Sequence, residues 1–318
     1  MSAQYPRDLV GYGANPPDPH WPGNARIAVQ FVLNIEEGAE ASPLHGDAHA
    51  ECYLHEVVGT PPLAGSRNLQ VESVYEYGSR AGVWRVLRLC REFDVPLTIF
   101  AVGMALERHP ELARALIEAG HEIASHGWRW IDYHTVPEEQ ERADIKRAVQ
   151  AIEQLTGSRP LGWYTGRLGA NTRRLVVEEG GFLYDADAYN DDLPYWVVES
   201  GRPHLVVPYT LDVNDMKFGT AQGFSQGDDF FRYARDAFDA LYAEGDAAPK
   251  MMSVGLHARL IGRPGRIGAL RRLFDHVRAH PNVWVCRRVE IARHWIAHHP
   301  FGTAGTSLQS HGQTLRPE

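Results

Sequence analysis

The segment His126-Gly127-Trp128-Arg129-Trp130 has the frame of a metal-binding His-x-x-x-His with tryptophan in the second histidine's place. An indole nitrogen carries a proton and has no in-plane lone pair, so Trp130 can donate a hydrogen bond but cannot hold a metal. Chemistry at this site must therefore run with fewer ligands than the frame suggests. Glu36-Glu37, where an apolar run ends before Gly38, sets two carboxylates side by side. Adjacent anions repel, so one of them is expected to take a raised pKa, as suits a general base; one can point into a pocket and the other away. His126, before Gly127, and His257, at the end of Met251–Leu256, each suit a ligand, a proton shuttle or an oxyanion donor. A lone histidine is more often structural, but two of them with a carboxylate make a catalytic set.

Trp163-Tyr164-Thr165-Gly166-Arg167 offers a phenol, a guanidinium and two backbone donors in a tight turn. Tyr164 and Arg167 match the edge of a planar ureido or imide group, while Trp163 reads as core. Asp212, Asn214 and Asp215 either cap the following segment or take part in the site. Arg259 opens a run with Arg263, Arg266, Arg271 and Arg272 that suits a small anionic or carbonyl-rich ligand, although the last three read as a solvated helix face. His45, His49 and His55 fit no standard metal spacing.

For such scattered residues to meet, the fold must gather them. Short apolar runs alternate with amphipathic patterns from residue 27 nearly to the end. Strands are expected at Ile27–Leu33, Leu97–Ala101, Glu122–Ser125, Leu161–Tyr164, Leu183–Asp185, Leu205–Pro208, Met251–Leu256 and Val283–Val285. Helices are expected near Ser79–Glu92, Glu111–Ala119, Pro137–Leu155, Thr172–Glu179, Asp228–Glu244, Arg266–Ala279 and Arg288–His298. Strands separated by crossover helices pair in parallel, and about eight such units imply an α/β fold, a closed or nearly closed (β/α) barrel over residues 27–300. Carboxyl ends of parallel strands share one mouth, which collects Asn34, Glu36, Glu37, Ser125, His126, Trp130, Tyr164, Arg167, Asp185, Asp187, Asp212, Asn214, Asp215, His257 and Arg259. Residues 39–78 form a long insertion after the first strand, of a length that is usually functional or covers something. Residues 1–26 form a Pro-rich arm that wraps the barrel or a neighbour, and the Gly/Ser/Thr/Gln-rich segment 301–318 is expected to be disordered.

The composition, 44% hydrophobic and 23% charged, is that of a globular protein, and a net charge of −8 argues against nucleic-acid or anionic-membrane partners. The start of the chain has no secretory pattern, and no stretch approaches ~18 uninterrupted apolar residues, so a cytoplasmic location is expected. Three widely spaced cysteines, Cys52, Cys90 and Cys286, indicate no disulfide framework and read as small buried apolar residues.

In order and type, these residues resemble the polysaccharide deacetylase superfamily. There a first strand ends in Thr-Phe-Asp-Asp-Gly, a later one in His-(Ser/Thr)-x-x-His, and an Arg-Pro-Pro-Tyr turn and a final Leu-His follow. The counterparts here are Asn34-Ile35-Glu36-Glu37-Gly38, His126 to Trp130, Trp163 to Arg167 and Leu256-His257. The resemblance implies a deacetylase-type barrel, distorted or seven-stranded, with the Glu36 position as base, Glu37 and His126 as metal ligands and His257 as acid. The departures are as informative. Only two of the usual three zinc ligands carry over.

One branch of that superfamily, the bacterial allantoinases that work without the metal, is similar almost from end to end. The shared strings include Tyr75-Glu76-Tyr77-Gly78-Ser79-Arg80-Ala81-Gly82-Val83-Trp84, Asn171-Thr172-Arg173-Arg174-Leu175 and Asp191-Asp192-Leu193-Pro194-Tyr195-Trp196. This similarity implies hydrolysis of allantoin to allantoate, no cofactor, a small ureide as the ligand and a homotetramer. Glu36 would then activate water, and His126 and His257 would handle the oxyanion and leaving nitrogen. Glu37, Trp130, Tyr164, Arg167, Asp215 and Arg259 would bind substrate. The rival expectations are a cyclic imide or dihydropyrimidine hydrolase, a metal-dependent sugar deacetylase with His121 or His134 as the missing ligand, and a ureide-binding barrel without turnover.

Overall fold

The computed structural model describes residues 7–56, 58–302 and, for the backbone, 308–309. In chain order its elements are β1 (Ile27–Ile35), α1 (Leu69–Tyr77), α2 (Val83–Phe93), β2 (Leu97–Ala101), α3 (Gly103–Arg108), α4 (Pro110–Glu118) and β3 (Glu122–Ser125). Then come α5 (Glu138–Thr156), β4 (Gly162–Trp163), α6 (Thr172–Glu179), β5 (Tyr184–Asp185), β6 (Tyr195–Glu199) and β7 (Arg202–Val206). The last are α7 (Gly227–Glu244), β8 (Lys250–His257), α8 (Pro264–Arg278), β9 (Val283–Val285), α9 (Arg288–His298) and β10 (Leu308–Gln309). The sheet runs β10-β6-β7-β5-β4-β3-β2-β1-β8, with β9 paired to the first residues of β1. Every pairing is parallel except β6 with β7. Between β7 and β8 there is no strand pairing among the described residues beyond the isolated bridge Asn214↔Gly255, where Gly255 N donates to Val213 O at 2.8 Å. The fold is thus a deacetylase-type barrel, open on one side rather than fully closed.

β1 is buried at all nine positions, as expected of a parallel strand covered on both faces. Its side chains alternate. Ile27, Val29, Phe31, Leu33 and Ile35 pack outward under the helices, while Ala28 and Val32 belong to a second core inside the barrel. Polar side chains share that interior. Arg288, fully buried, donates to Gln30 Oε1 at 2.6 Å, to Ser253 Oγ at 2.8 Å and to Pro208 O at 2.9 Å, tying β1, β8 and the end of β7 together beneath the mouth.

Several expectations change. β2, β3 and β9 fall where the sequence places them, but β6 was not foreseen. It pairs with β7 through the turn Ser200-Gly201, both at positive φ, a hairpin signal lying between two runs that read as one strand and a loop. The segment 39–78 is not all loop: Asn68 Oδ1 accepts from Val71 N at 3.2 Å and starts α1, which continues into α2 through one π turn at Gly78–Gly82. α3 is also additional. Cys52 is only half-buried, unlike Cys90 and Cys286. The described end of the arm packs on its own chain: Trp21 is buried against Trp284 and Trp295, and its Nε1 donates to Lys250 O at 3.0 Å. Expected disorder in 301–318 falls mostly outside the described residues, of which Leu308–Gln309 pair with β6. No helix among the described residues is long and apolar enough to cross a membrane.

The π turn brings bare backbone against the 258–262 turn: a Cβ on Gly82 would run into the Ala258 carbonyl. Helix propensity alone would favour alanine there by about 1 kcal/mol. Overpacking against fixed backbone outweighs it, so Gly82→Ala is expected to destabilise the fold by about 1–3 kcal/mol in urea unfolding.

Candidate active site

Strand alternation selects the side chains that reach the mouth. On β1 the inward set Ala28, Gln30, Val32, Asn34 leads to Glu36, and on β8 the set Met251, Ser253, Gly255 leads to His257. His126 follows Ala124 of β3 with the same parity, and Tyr164 follows Gly162 of β4. Asn34, Glu36, His126, Tyr164 and His257, with Tyr53, Leu54, Trp130, Gly166, Arg167, Tyr189, Tyr209, Leu211, Asn214 and Met216, line one cavity of about 220 Å³. Gly255 makes room for two of these side chains, since a Cβ there would strike Asn214 and the Tyr209 hydroxyl.

Glu36 is the hub. Its Oε1 lies 3.4 Å from His126 Nε2 and 3.5 Å from His257 Nε2, and its Oε2 accepts from Arg259 NH2 at 2.6 Å. On its far side His257 is held by Asp215: Nδ1 lies 2.6 Å from Oδ1, and Oδ2 accepts from His257 N at 2.8 Å and Ile261 N at 3.1 Å. Because a carboxylate accepts, His257 Nδ1 carries the proton and Nε2 faces Glu36. His126 Nδ1 is buried and has no hydrogen-bond partner among the described residues.

Burial alone would raise the Glu36 pKa, but the Arg259 and His257 charges and hydrogen bonds from both histidines hold it well below the usual carboxylate range. Burial likewise favours neutral His257, yet Glu36 and Asp215 outweigh it and push the imidazole up to about 9. At neutral pH the site therefore holds a carboxylate beside an imidazolium. The carboxyl with a raised pKa is Glu37, through burial and repulsion from Glu36 against the opposing pull of Arg259.

Three residues expected against substrate stand behind the cavity wall instead. Glu37 has the outward parity; its Oε2 accepts from Glu36 N at 3.1 Å and it borders a separate cleft. Asp215 is spent on His257. Arg259, fully buried, donates to Leu54 O at 2.9 Å and lies 3.4 Å from Glu37 Oε1, with its guanidinium carbon 4.1 Å from the Tyr75 ring and 5.4 Å from that of Trp130. Trp130, Tyr164 and Arg167 do line the cavity. Arg167 lies 3.9 Å over Trp130 and is anchored by Glu51 Oε2 at 3.0 Å, and Tyr164 OH is 3.0 Å from Tyr189 OH. The two backbone donors of the 165–166 turn are already used, both on Asp187.

Asn214 caps the following turn, its Oδ1 accepting from Met216 N at 2.9 Å, whereas Asp215 orients a histidine; the two alternatives for this segment fall on neighbouring residues. Arg266, Arg271 and Arg272 are the expected surface cations, paired with Glu56, Glu92 and Asp228. Tyr53, Leu54 and Glu51, from the insertion, were missed, because nothing in an irregular segment shows which residues fold back. Tyr209 was also missed, although its place just past β7 marks it by the strand-end rule.

The donor set does not fit the metal that the superfamily frame implies. Trp130 offers no lone pair, and Arg259 occupies the place where a cation would meet both Glu36 and Glu37. His121 accepts from Leu97 N at 3.2 Å at the opposite end of the strands, and exposed His134 pairs with Asp132. Neither supplies a third ligand. Among the described residues, the cluster able to gather three ligand atoms is Asp239, His276 and His280, outside this site.

Since Asp215 helps to keep His257 charged, Asp215→Asn should lower the His257 titration midpoint from near pH 9 by about one unit or more, followed by histidine NMR. An unchanged midpoint would assign Asp215 a purely structural part.

The chain is 48% identical over 314 residues to a Schizosaccharomyces pombe protein provisionally named a polysaccharide deacetylase, covering 93% of this chain and 98% of the relative. Among solved structures, Puue allantoinase is 63% identical with a TM-score of 0.92, covering 94% of this chain and all of that one. A probable polysaccharide deacetylase from Pseudomonas aeruginosa is 60% identical with a TM-score of 0.91, covering 93% of this chain and all of that one. Residues 68–182 match the family model described as polysaccharide deacetylase. Fold and relatives agree: this chain belongs to the polysaccharide deacetylase family.

Proposed function

We propose that this chain hydrolyses allantoin to allantoate, with Arg259 supplying the fixed positive charge that a metal supplies elsewhere in the family. The observation that carries this reading is the placement of Glu36 between two histidines and a buried guanidinium, beneath a small cavity. Its volume, about 220 Å³, lies below the ~300–1,000 Å³ of pockets for drug-sized ligands, which suits one heterocycle better than a chain of sugars. The 63% identity to a protein named an allantoinase supports the substrate.

Water held at Glu36 Oε1 gives its proton to the carboxylate as its oxygen adds to the ring amide carbonyl. The oxyanion receives hydrogen bonds from the histidine Nε2 groups. His257, charged at neutral pH, then protonates the leaving ring nitrogen as the C–N bond breaks. Over the 3.5 Å between them, protonated Glu36 returns a proton to His257 and resets the site, while the product acid ionises. Glu36 is a weak base because its pKa is low, so the oxyanion donors are needed as well: acid–base catalysis contributes ~10²–10⁴-fold and one well-placed donor ~10²–10³-fold. Arg167 over Trp130, together with Tyr164 in the same cavity, presents donors and flat faces to a planar ureide.

Allantoate formation by the full chain should survive exhaustive chelation, and Glu36→Gln should lower kcat by ~10²–10⁴-fold. Absence of allantoin turnover, together with zinc-dependent acetate release from N-acetylglucosamine oligomers, would assign the deacetylase reaction instead.

A further inference from the structure

A second group of chemistry-bearing side chains lies far from the cavity. Helices of a (β/α) barrel run back from the mouth, so the carboxyl ends of α7 and α8 lie at its foot, beside the start of β1, where Arg26 N donates to Asn282 O at 2.8 Å. There His276 on α8 and His280 just beyond it, four residues apart on one face, meet Asp239 of α7. One ligand atom from each lies within 4.8 Å of the other two. His276 Nε2 is 2.6 Å from Asp239 Oδ1, and the imidazole centroids are 4.7 Å apart.

Two further observations separate this group from a chance surface ion pair. His280 Nδ1 lies 2.8 Å from the His276 carbonyl oxygen, and a carbonyl only accepts, so Nδ1 carries the proton and the Nε2 lone pair is free. Metal-binding histidines are commonly fixed by such a hydrogen bond from the other ring nitrogen to a carbonyl. The rings also rest on a rigid floor. Fully buried Phe238 lies 5.5 Å from His276 and 5.1 Å from His280, and Tyr242 lies 5.0 Å from His280 with its hydroxyl on Pro281 O at 2.9 Å. The side chains of His276 and Asp239 are 22% and 47% exposed, so an ion can reach them.

We propose that Asp239, His276 and His280 bind one divalent transition metal of the zinc type, which clamps α7 to α8. Two imidazoles and a carboxylate suit zinc, nickel or copper and not magnesium or calcium, which take oxygen ligands; solvent completes the coordination. The ion sits at the end of the barrel opposite Glu36 and takes no part in the chemistry proposed above. Zinc that copurifies with the chain would accordingly be held here, and removing it would leave turnover intact.

The test is calorimetric titration of ZnCl₂ into chelator-treated, tag-free full-length protein, with thermal unfolding on the same samples. One equivalent is expected to bind and raise Tm. His276→Ala and His280→Gln should each weaken uptake about 100-fold or more and abolish the rise in Tm, with circular dichroism and allantoin turnover unchanged. No stoichiometric uptake by the wild type, or one equivalent retained in the double variant, would overturn the assignment. Loss of that equivalent in His126→Ala would place the ion in the cavity instead.

Discussion

Everything at the mouth depends on a buried guanidinium. Two adjacent carboxylates, both almost sealed from water, could not stay charged together unaided, because taking an isolated anion out of water costs several kcal/mol. Arg259 resolves this from the turn after β8 by facing Glu36 and Glu37 at once. Strand alternation makes the carboxylates unequal. Glu36 faces the cavity and its two histidines and is kept ionised, whereas Glu37 is turned away with a raised pKa. Trp130 fits the same logic, because an aromatic ring tolerates two nearby guanidinium groups, that of Arg167 at 3.9 Å and that of Arg259 at 5.4 Å.

The scaffold protects this arrangement at several levels. Arg259 is anchored by the Leu54 carbonyl and stacked on Tyr75, so the segment between β1 and α1 and the first helix both hold it. Gly78 and Gly82 let the π turn close over the 258–262 turn without a side chain between them. Asp215 fixes the tautomer of His257 from a segment that also forms the only bridge, among the described residues, across the gap between β7 and β8. Catalytic geometry and barrel closure thus share residues, and their precision has a common cause.

Much of this was legible in the chain. The apolar runs locate β1, β2, β3, β8 and β9, and the strand-end rule gathers Glu36, His126, Tyr164 and His257 at one mouth. Alternation along β1 and β8 could also have separated Glu36 from Glu37. What escaped was non-local. Arg259 and Asp215 read as substrate ligands because a sequence shows a charge but not the charge it faces, and here both turn toward other site residues. Tyr53 and Leu54 lie in an irregular segment whose return to the cavity depends on contacts with Arg259 and Trp130. The 163–167 turn reads as offering two backbone donors, but Asp187, twenty-odd residues on, accepts from the amides of Thr165 and Gly166.

Chemical rescue at position 259 tests the central claim most directly, using folded Arg259→Ala protein assayed on allantoin with either guanidinium ion or zinc added. The account predicts that the variant is nearly inactive and that millimolar guanidinium, which restores the shape and charge of the lost group, recovers turnover while zinc does not. Recovery by zinc alone, or full activity without any addition, would contradict it.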